Sequence, residues 1–441
     1  MIVMGGVVGS GIFINPYVVA QHVHSSAQIL GVWVAGGVVA LIGAFIYAEL
    51  AARLPKAGGE YVYLREGIHP AVGFLYGWIA LIVINAGGCA AVAVTFARYV
   101  GELIPLGVPE RAIAVATIVV LAAVNCVGVR FGSAVQSGLM ILRIAAIVML
   151  VACGASGLLG VPGAAGVAPT PGSSGSTSLD LAAAFGAALI PVFFAYGGWQ
   201  TANFVAAEVR EPRRNLPRAL VIGMVGVIAL YVAVNVICVK VLGPAGLAAT
   251  PAPASAVMDR VAGTAGRELL AVGITISTLG FLSQSVLTYP RVLYAIAADG
   301  LFPASVARVH PRSQVPVLAI LLNSALTLAV LMIGRYEEIL TYVESMDLTF
   351  FALTAGTLFV FRKRERCAVA LGEMRADGGA FRVPGHPWTT LVFIAVCFLV
   401  VLHTLFSHRG NTLVIGVIAL AGALFYLLRR TWANPAAGQT A

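Results

Sequence analysis

Apolar residues fill most of the chain in blocks of roughly 20, and short segments rich in Gly, Pro and charged residues separate the blocks. A helix of about 20 residues spans the roughly 30 Å of hydrocarbon in a bilayer, and a spanning strand needs only about half as many. The pattern therefore predicts an all-α membrane protein. We expect 12 transmembrane helices, spans 1 to 12, at about 1–23, 28–52, 71–103, 110–128, 133–160, 180–207, 218–242, 266–297, 315–333, 340–361, 388–407 and 411–429.

Two long loops divide the predicted spans into groups. The segments Gly160 to Ser178 and Leu242 to Gly266 are rich in Gly, Pro, Ser and Ala, and the first of them follows five spans. A unit with an odd number of spans inserts the next unit upside down, so an inverted repeat becomes possible. We predict a first repeat over 1–160 (helices 1–5), a second over 180–361 (helices 6–10), and two additional C-terminal helices over 388–430.

Composition and charge agree with a membrane protein and orient it. Hydrophobic residues make up 60% of the chain and charged residues 10%, a balance that excludes an ordinary soluble domain. Most of the Lys and Arg residues lie in loops on the side of the N-terminus, so the positive-inside rule predicts an inner-membrane protein with both termini cytoplasmic. The net charge of +9 lies in these short loops, and topology explains it without a nucleic-acid partner.

Spans 1 and 6, the first of each predicted repeat, are interrupted in corresponding places. Span 1 contains Gly5-Gly6-Val7-Val8-Gly9-Ser10-Gly11, and span 6 contains Phe194-Ala195-Tyr196-Gly197-Gly198-Trp199. Paired interruptions of this kind indicate a substrate site at the bilayer midplane. Taken singly, each glycine cluster would be interpreted as a helix-packing face rather than as a ligand site. Because the two clusters occupy corresponding positions, the ligand site is the favoured interpretation.

A helix that breaks inside the membrane leaves backbone groups for a ligand. We expect the N–H groups of Ser10, Gly11 and Ile12 to bind a carboxylate, where the positive end of a half-helix points. We expect carbonyl groups near Val7 and near Ala195 and Tyr196 to accept from an ammonium group. Glycines 9, 11, 197 and 198 permit such unwound backbone and let a ligand approach it. A zwitterionic amino acid matches both ends.

Side chains near mid-depth in spans 1, 3, 6 and 8 then set specificity. The candidates are Asn85, Phe194, Trp199, Asn203, Phe281, Ser283 and Ser285. These four spans have no acidic residue near mid-depth, which favours a neutral substrate over a cationic one.

Several motifs together resemble the amino acid-polyamine-organocation superfamily, and most of all the bacterial relatives of its L-type amino acid transporters. They are Gly9-Ser10-Gly11-Ile12-Phe13, Leu54-Pro55-Lys56-Ala57-Gly58-Gly59-Glu60-Tyr61, Phe194-Ala195-Tyr196-Gly197-Gly198-Trp199, Glu211-Pro212-Arg213-Arg214-Asn215-Leu216-Pro217 and Arg291-Val292-Leu293-Tyr294. The resemblance implies a five-plus-five inverted-repeat fold with two added helices. It also implies sodium-independent amino acid transport by alternating access, with substrate bound at the two breaks and an aromatic gate at Phe194.

Arg143 stands mid-span in span 5, where a lone cation is costly unless it meets carbonyls, a carboxylate or water. L-type relatives tend to have a lysine there, so we assign Arg143 to a coupling position beside span 1 rather than to a purely structural ion pair. Arginine does not lose its proton, so it is a poor proton carrier. Mammalian relatives bond to an ancillary subunit through a cysteine after helix 3, and segment 101–111 has none, so we expect no disulfide-linked partner.

The other charged residues in or near the predicted spans lie toward the ends of the helices. Glu344 and Asp347 in span 10 are placed toward the extracellular end, where water can solvate them. Glu49, Glu208 and Arg291 lie near cytoplasmic helix ends, where a gating ion pair and a solvated cap are equally open; Glu208 is our gating candidate. Only eight residues precede Gly9, about 12 Å of helix, so we expect span 1 to have a short inner half and the native N-terminus to be longer.

The function predicted from sequence is a sodium-independent transporter of small or medium neutral L-amino acids, an exchanger or facilitator. A membrane amino acid sensor and a proton-coupled symporter are the alternatives. An enzyme is disfavoured because the seven His and six Cys residues form no nucleophile-base set or metal-ligand cluster in the sequence, and we expect no cofactor.

Overall fold

The computed structural model describes most of the chain. The described residues are 2–55, 58–104, 107–127, 133–160, 178–204, 209, 211–288, 293, 296–297, 300, 302–303, 305–306, 308–310, 313, 315–334, 336–371, 381–407 and 409–433. Within these ranges the regular structure is helical, without strands. The helices are α1 Ile2–Val7, α2 Gly11–His22, α3 Ser26–Arg53, α4 Glu60–Gly67, α5 Pro70–Ile79, α6 Ala86–Leu103, α7 Glu110–Val127, α8 Ser133–Gly160, α9 Ser178–Tyr196, α10 Thr201–Phe204, α11 Pro212–Ala248, α12 Pro253–Thr288, α13 Val317–Ile333, α14 Tyr336–Ala370, α15 Trp388–Ser407 and α16 Arg409–Ala433.

Seven helical stretches of the described chain are long and apolar enough to cross a membrane. They are Ser26–Arg53, Pro70–Leu103, Leu181–Asn203, Arg213–Ala248, Pro253–Ser283, Glu338–Ala370 and Trp388–Ser407. Shorter apolar helices occur at Ile141–Gly157, Val317–Met332 and Gly416–Leu428. The all-helical fold is therefore confirmed. The number of 12 helices and the repeat boundaries stay predictions.

Several helices extend beyond the spans that hydrophobicity predicts. Helix α11 runs to Ala248 across Gly243, whose φ of 70° is non-helical, and α12 has a similar residue at Gly263 with φ 66°. Glycine reaches these angles without a Cβ clash, so each kink separates a membrane segment from a flanking helical turn. Helix α14 begins at Tyr336, four residues before the predicted span. That early start changes the depth at which its acidic residues lie.

Helix starts follow local chemistry. Helix α3 begins with a capping box, in which the Gln28 N–H donates to Ser25 Oγ at 3.2 Å and the Ser25 N–H donates to Gln28 Oε1 at 3.3 Å. Helix α5 begins at Pro70, whose missing N–H costs nothing in a first turn. A π-helical turn, Ala80–Asn85, joins α5 to α6, and such turns occur frequently at functional sites.

Helices α1 and α2 lie at the centre of the bundle. Helix α2 packs against α9, α11 and α12, and α1 packs against α10 and α11. Three buried aromatic residues hold this centre together, because Tyr196 lies 5.8 Å from Trp33 and 5.2 Å from Tyr231 between ring centroids. The Tyr196 hydroxyl donates to the Trp33 carbonyl at 3.2 Å. These contacts anchor the C-terminal end of α9 against α3 and α11.

Candidate functional site

The first predicted span is broken between α1 and α2, at Val8 to Ser10. The Gly9 N–H turns back to the Val7 carbonyl at 2.7 Å, which ends α1. Helix α2 then begins at Gly11, and the N–H groups of a first helical turn have no intrahelical acceptor. The structure therefore presents the positive end of α2 where the sequence predicts a carboxylate site.

The sixth predicted span is broken in the same manner. Helix α9 ends at Tyr196, a turn covers 197–200, and α10 follows at Thr201. The turn is held by a bond from the Gly198 N–H to Gln200 Oε1 at 2.9 Å and by a bond from Thr201 Oγ1 to the Gly198 carbonyl at 2.6 Å. The carbonyl end of α9 thus faces the N–H end of α2.

The two breaks touch each other through their backbones. A Cβ added at Gly198 would lie 2.1 Å from the Gly6 carbonyl oxygen, and one added at Gly11 would lie 2.7 Å from Ala195 Cα. These glycines are therefore required for close packing. Gly9 differs, because a Cβ there would meet only ordinary contacts at 3.8 Å or more. The packing interpretation therefore applies to Gly11 and Gly198, and the ligand interpretation of Gly9 stays a prediction.

A cavity of about 110 Å³ lies between the two breaks. One water requires about 10–15 Å³ in this measure, so the cavity has room for a ligand of roughly seven to ten heavy atoms. Its walls come from α1, α2, the π turn, α6, α9, α10, α12 and α14. They comprise Gly6, Val7, Gly9, Ser10, Gly11, Ile84, Gly88, Val92, Phe194, Ala195, Gly197, Gly198, Gln200, Thr201, Phe281, Ser285, Val343, Glu344 and Asp347.

The structure brings most of the predicted site residues to this cavity. Those in its walls are Val7, Gly9, Ser10, Gly11, Phe194, Ala195, Gly197 and Ser285, whereas Ile12, Asn85, Tyr196 and Asn203 are buried but do not line it. Asn85 instead donates to Asn323 Oδ1 at 2.5 Å, and its neighbour Ile84 lines the cavity. Glu208 and Arg291 lie outside the described residues.

The Val7 carbonyl is already occupied. It accepts from the Gly9 N–H at 2.7 Å and from the Tyr231 hydroxyl at 3.1 Å. Two bonds use both lone pairs of a carbonyl oxygen. An ammonium group in the cavity therefore has to find acceptors at the end of α9 and on the other walls, rather than at Val7 as the sequence suggested.

Arg143 lies beside the first break. Its side chain is buried on α8, and Nη1 donates to the Val8 carbonyl at 3.2 Å. The guanidinium carbon lies 5.8 Å from the centroid of the Phe281 ring, within the range of a cation-π contact. Phe281 in turn lines the cavity. The charge thus stands directly behind the cavity wall.

Two carboxyl groups line the cavity, contrary to the sequence expectation that solvent surrounds them. Glu344 and Asp347 are 3% and 7% exposed. They lie eight and eleven residues into α14, about 12 and 17 Å from its start. The expectation of a neutral substrate rested on spans 1, 3, 6 and 8, whereas both of these acids lie in span 10.

Glu60 of α4 is a third buried carboxylate. Glu60, in the first turn of α4, accepts from the hydroxyls of Tyr47 and Tyr76, the latter at 2.6 Å. Sequence reasoning did not single it out, because a glutamate beside a Gly-Gly turn is typical of a solvated helix start.

Glu49 belongs to a network of ion pairs at the ends of α3 and α14. Its carboxylate accepts from Arg362 at 2.6 Å, from Arg53 at 2.7 Å and from the Val383 N–H at 2.6 Å. Arg53 also pairs with Glu365 at 2.7 Å. The sequence left open whether Glu49 forms an ion pair or a solvated helix cap. The structure shows ion pairs, and the Glu49 side chain is fully buried.

Comparisons with known proteins identify the relatives of this chain. The family model described as "Amino acid permease" matches residues 1–426. The "Serine/threonine exchanger SteT" of Bacillus subtilis is 29% identical over 429 residues, 96% of this chain and 94% of that protein. The human "Large neutral amino acids transporter small subunit 2" is 30% identical over 82% of this chain and 68% of its own, and the human "Cystine/glutamate transporter" is 28% identical over 98% and 84%.

These relatives are transporters rather than enzymes, and the apolar helices make this chain a multi-pass membrane protein. The chain belongs to the amino acid permease family, within the amino acid-polyamine-organocation superfamily.

Proposed function

We propose that the protein carries small or medium neutral L-amino acids across the inner membrane by alternating access, without sodium, as an exchanger or facilitator. The observation that carries the proposal is the cavity where the N–H end of α2 faces the carbonyl end of α9. This arrangement offers one site for a carboxylate and one for an ammonium group about one small molecule apart. Both termini are cytoplasmic, and no disulfide-linked subunit takes part.

Exchange is favoured over sensing by the names of the relatives, among them a serine/threonine exchanger. The test is uptake of labelled L-serine into proteoliposomes that contain either unlabelled serine or buffer alone. We expect internal serine to accelerate uptake severalfold. A sensor would bind serine without flux in either preparation, and a facilitator would show uptake without acceleration.

Analogues that lack one end of the zwitterion should not compete. Ethanolamine lacks the α-carboxylate of serine, and N-acetylserine lacks the ammonium charge, so each loses the bonds to one helix end. We expect each to inhibit serine uptake at least tenfold more weakly than serine, because a charge-assisted hydrogen bond contributes about 1.5–3 kcal/mol. Equal inhibition by ethanolamine would contradict the assignment of the α2 end as the carboxylate site.

A neutral substrate should be preferred over arginine and lysine. The cavity has room for a side chain of a few atoms beyond the α-carbon group, and most of its walls are apolar or glycine. We expect serine, threonine or alanine to be taken up with at least tenfold higher efficiency than arginine. A panel of unlabelled amino acids against labelled serine measures this, and stronger inhibition by arginine would show that the acids on α14 bind a substrate side chain.

A further inference from the structure

The carboxyl group of Glu344 lies beside the carbonyl end of α9. Its Oε1 atom is 4.0 Å from the point that a Cβ on Gly197 would occupy, and the Phe193 and Phe194 carbonyl oxygens lie 3.3 and 3.4 Å from that same point. Gly197 lines the cavity, as does Glu344 itself. The Glu344 carboxyl group therefore lies beside the end of α9 on the cavity wall, where an ionised carboxylate accepts hydrogen bonds from a cation.

Neither acid on α14 has a cationic partner in the described part of the chain. The ion pairs found there involve other carboxylates, and Glu344 and Asp347 take part in none of them. A lone carboxylate in an apolar membrane site is costly, and two neighbouring carboxylates cannot both ionise cheaply. The pair thus needs a proton, a bound cation, or one of each.

The surroundings of the pair offer other titratable groups from every helix that packs against α14. Glu60 and Cys397 are titratable groups whose ionised forms would act on Asp347 and Glu344, respectively. Glu49 is already neutralised by Arg53 and Arg362. The titratable residues on these helices whose side chains the structure describes are Tyr47, Glu49 and Arg53 on α3, Glu60, Tyr61, Tyr63, Arg65 and Glu66 on α4, Cys89, Arg98, Tyr99 and Glu102 on α6, Tyr196 on α9, and Cys397 and His403 on α15.

We propose that Glu344 binds the α-ammonium group of the substrate as a carboxylate while Asp347 retains a proton, so that substrate binding is linked to the protonation of this pair. The inference rests on the proposed function and adds a binding residue to it. It also supplies the acceptor that the occupied Val7 carbonyl does not provide. Because Glu344 is used by the α-ammonium group and Asp347 remains neutral, no charge is left for a cationic side chain.

The proposal predicts the direction in which serine affinity changes with pH. When the empty pair holds two protons, binding of the ammonium group requires Glu344 to give one proton to solvent, while the substrate and Asp347 keep theirs. Affinity for serine should therefore fall as the pH is lowered, by up to tenfold per pH unit once the doubly protonated pair predominates. At higher pH, where Glu344 is already ionised, affinity should level off.

The test uses equilibrium binding of labelled L-serine to the purified full-length protein between pH 5 and 8, with glycerate as competitor. Glycerate is serine with a hydroxyl group in place of the ammonium group. Wild type should prefer serine strongly. In Glu344→Gln, which keeps the side-chain volume, serine affinity should fall roughly 10- to 100-fold, glycerate affinity should not fall, and the pH dependence should disappear. Glu344→Asp should restore part of the preference for serine.

The matched control is Glu338→Gln, which removes an exposed carboxylate from the same helix outside the cavity and should behave as wild type. If Glu344→Gln still binds serine much more tightly than glycerate, this inference is wrong while the proposed function stands. The inference is also wrong if Glu344→Gln loses affinity for ornithine but not for serine, because the carboxyl group would then bind a substrate side chain. No serine binding by wild type at any pH overturns both this inference and the proposed function.

Discussion

Replacement of Arg143 by alanine is expected to reduce the initial rate of serine uptake roughly 5- to 150-fold. The change removes the bond from Nη1 to the Val8 carbonyl, and it leaves that carbonyl buried without its donor, at a cost of about 1–3 kcal/mol. It also removes the only charge that we assign to the coupling position beside the first break. We therefore expect uptake by wild type to be the same with and without sodium, since the fixed guanidinium group stands in place of a bound cation.

Arg143→Lys should retain much more activity than the alanine variant. Lysine keeps the positive charge and is the residue that the L-type resemblance predicts, although it loses the planar fork of the guanidinium group. The measurement is initial uptake in proteoliposomes at matched reconstitution, with sodium or choline as the external cation. Arg218→Ala is the control, because Arg218 is exposed near the start of α11. Sodium-dependent uptake by wild type, or full activity of Arg143→Ala, would remove Arg143 from the coupling position.

The variant Gly198→Ala is expected to lose at least nine-tenths of its uptake and some thermal stability in detergent. Gly198 has a φ of 98°, which side chains with a Cβ rarely adopt, and its Cβ would overlap the Gly6 carbonyl oxygen at 2.1 Å. Backbone cannot move aside as a flexible side chain can. The two breaks would have to separate, and the N–H end of α2 would no longer face the carbonyl end of α9.

Gly356→Ala provides the matched control for that variant. Gly356 lies within α14, and a Cβ there would meet nothing within 4 Å, so alanine should leave uptake unchanged and favour the helix by up to about 1 kcal/mol. Uptake and melting temperature should be measured on both variants. Wild-type uptake by Gly198→Ala would show that the crossing of the two breaks is not required for transport.

The helical character of the chain and the places of both breaks were predictable from the sequence itself. Blocks of apolar residues specify membrane-spanning helices, because hydrocarbon leaves each backbone group to find its partner within its own helix. The clusters around Gly9 and Gly197 indicate breaks, since repeated glycines permit unwound backbone. The prediction that these two segments form one site required only their corresponding places in the two groups of spans. It did not require knowledge of how the helices pack.

Only the tertiary structure decided which side chains surround the cavity. In a membrane, both the lipid-facing and the buried surface of a helix are apolar, so hydropathy does not reveal which face of α14 turns inward. The sequence therefore predicted solvated positions for Glu344 and Asp347, whereas the packing of α14 places both in the cavity wall. Asn85 bonds to Asn323 rather than lining this cavity, and helical spacing alone does not predict the π turn, Ala80–Asn85, in which it lies.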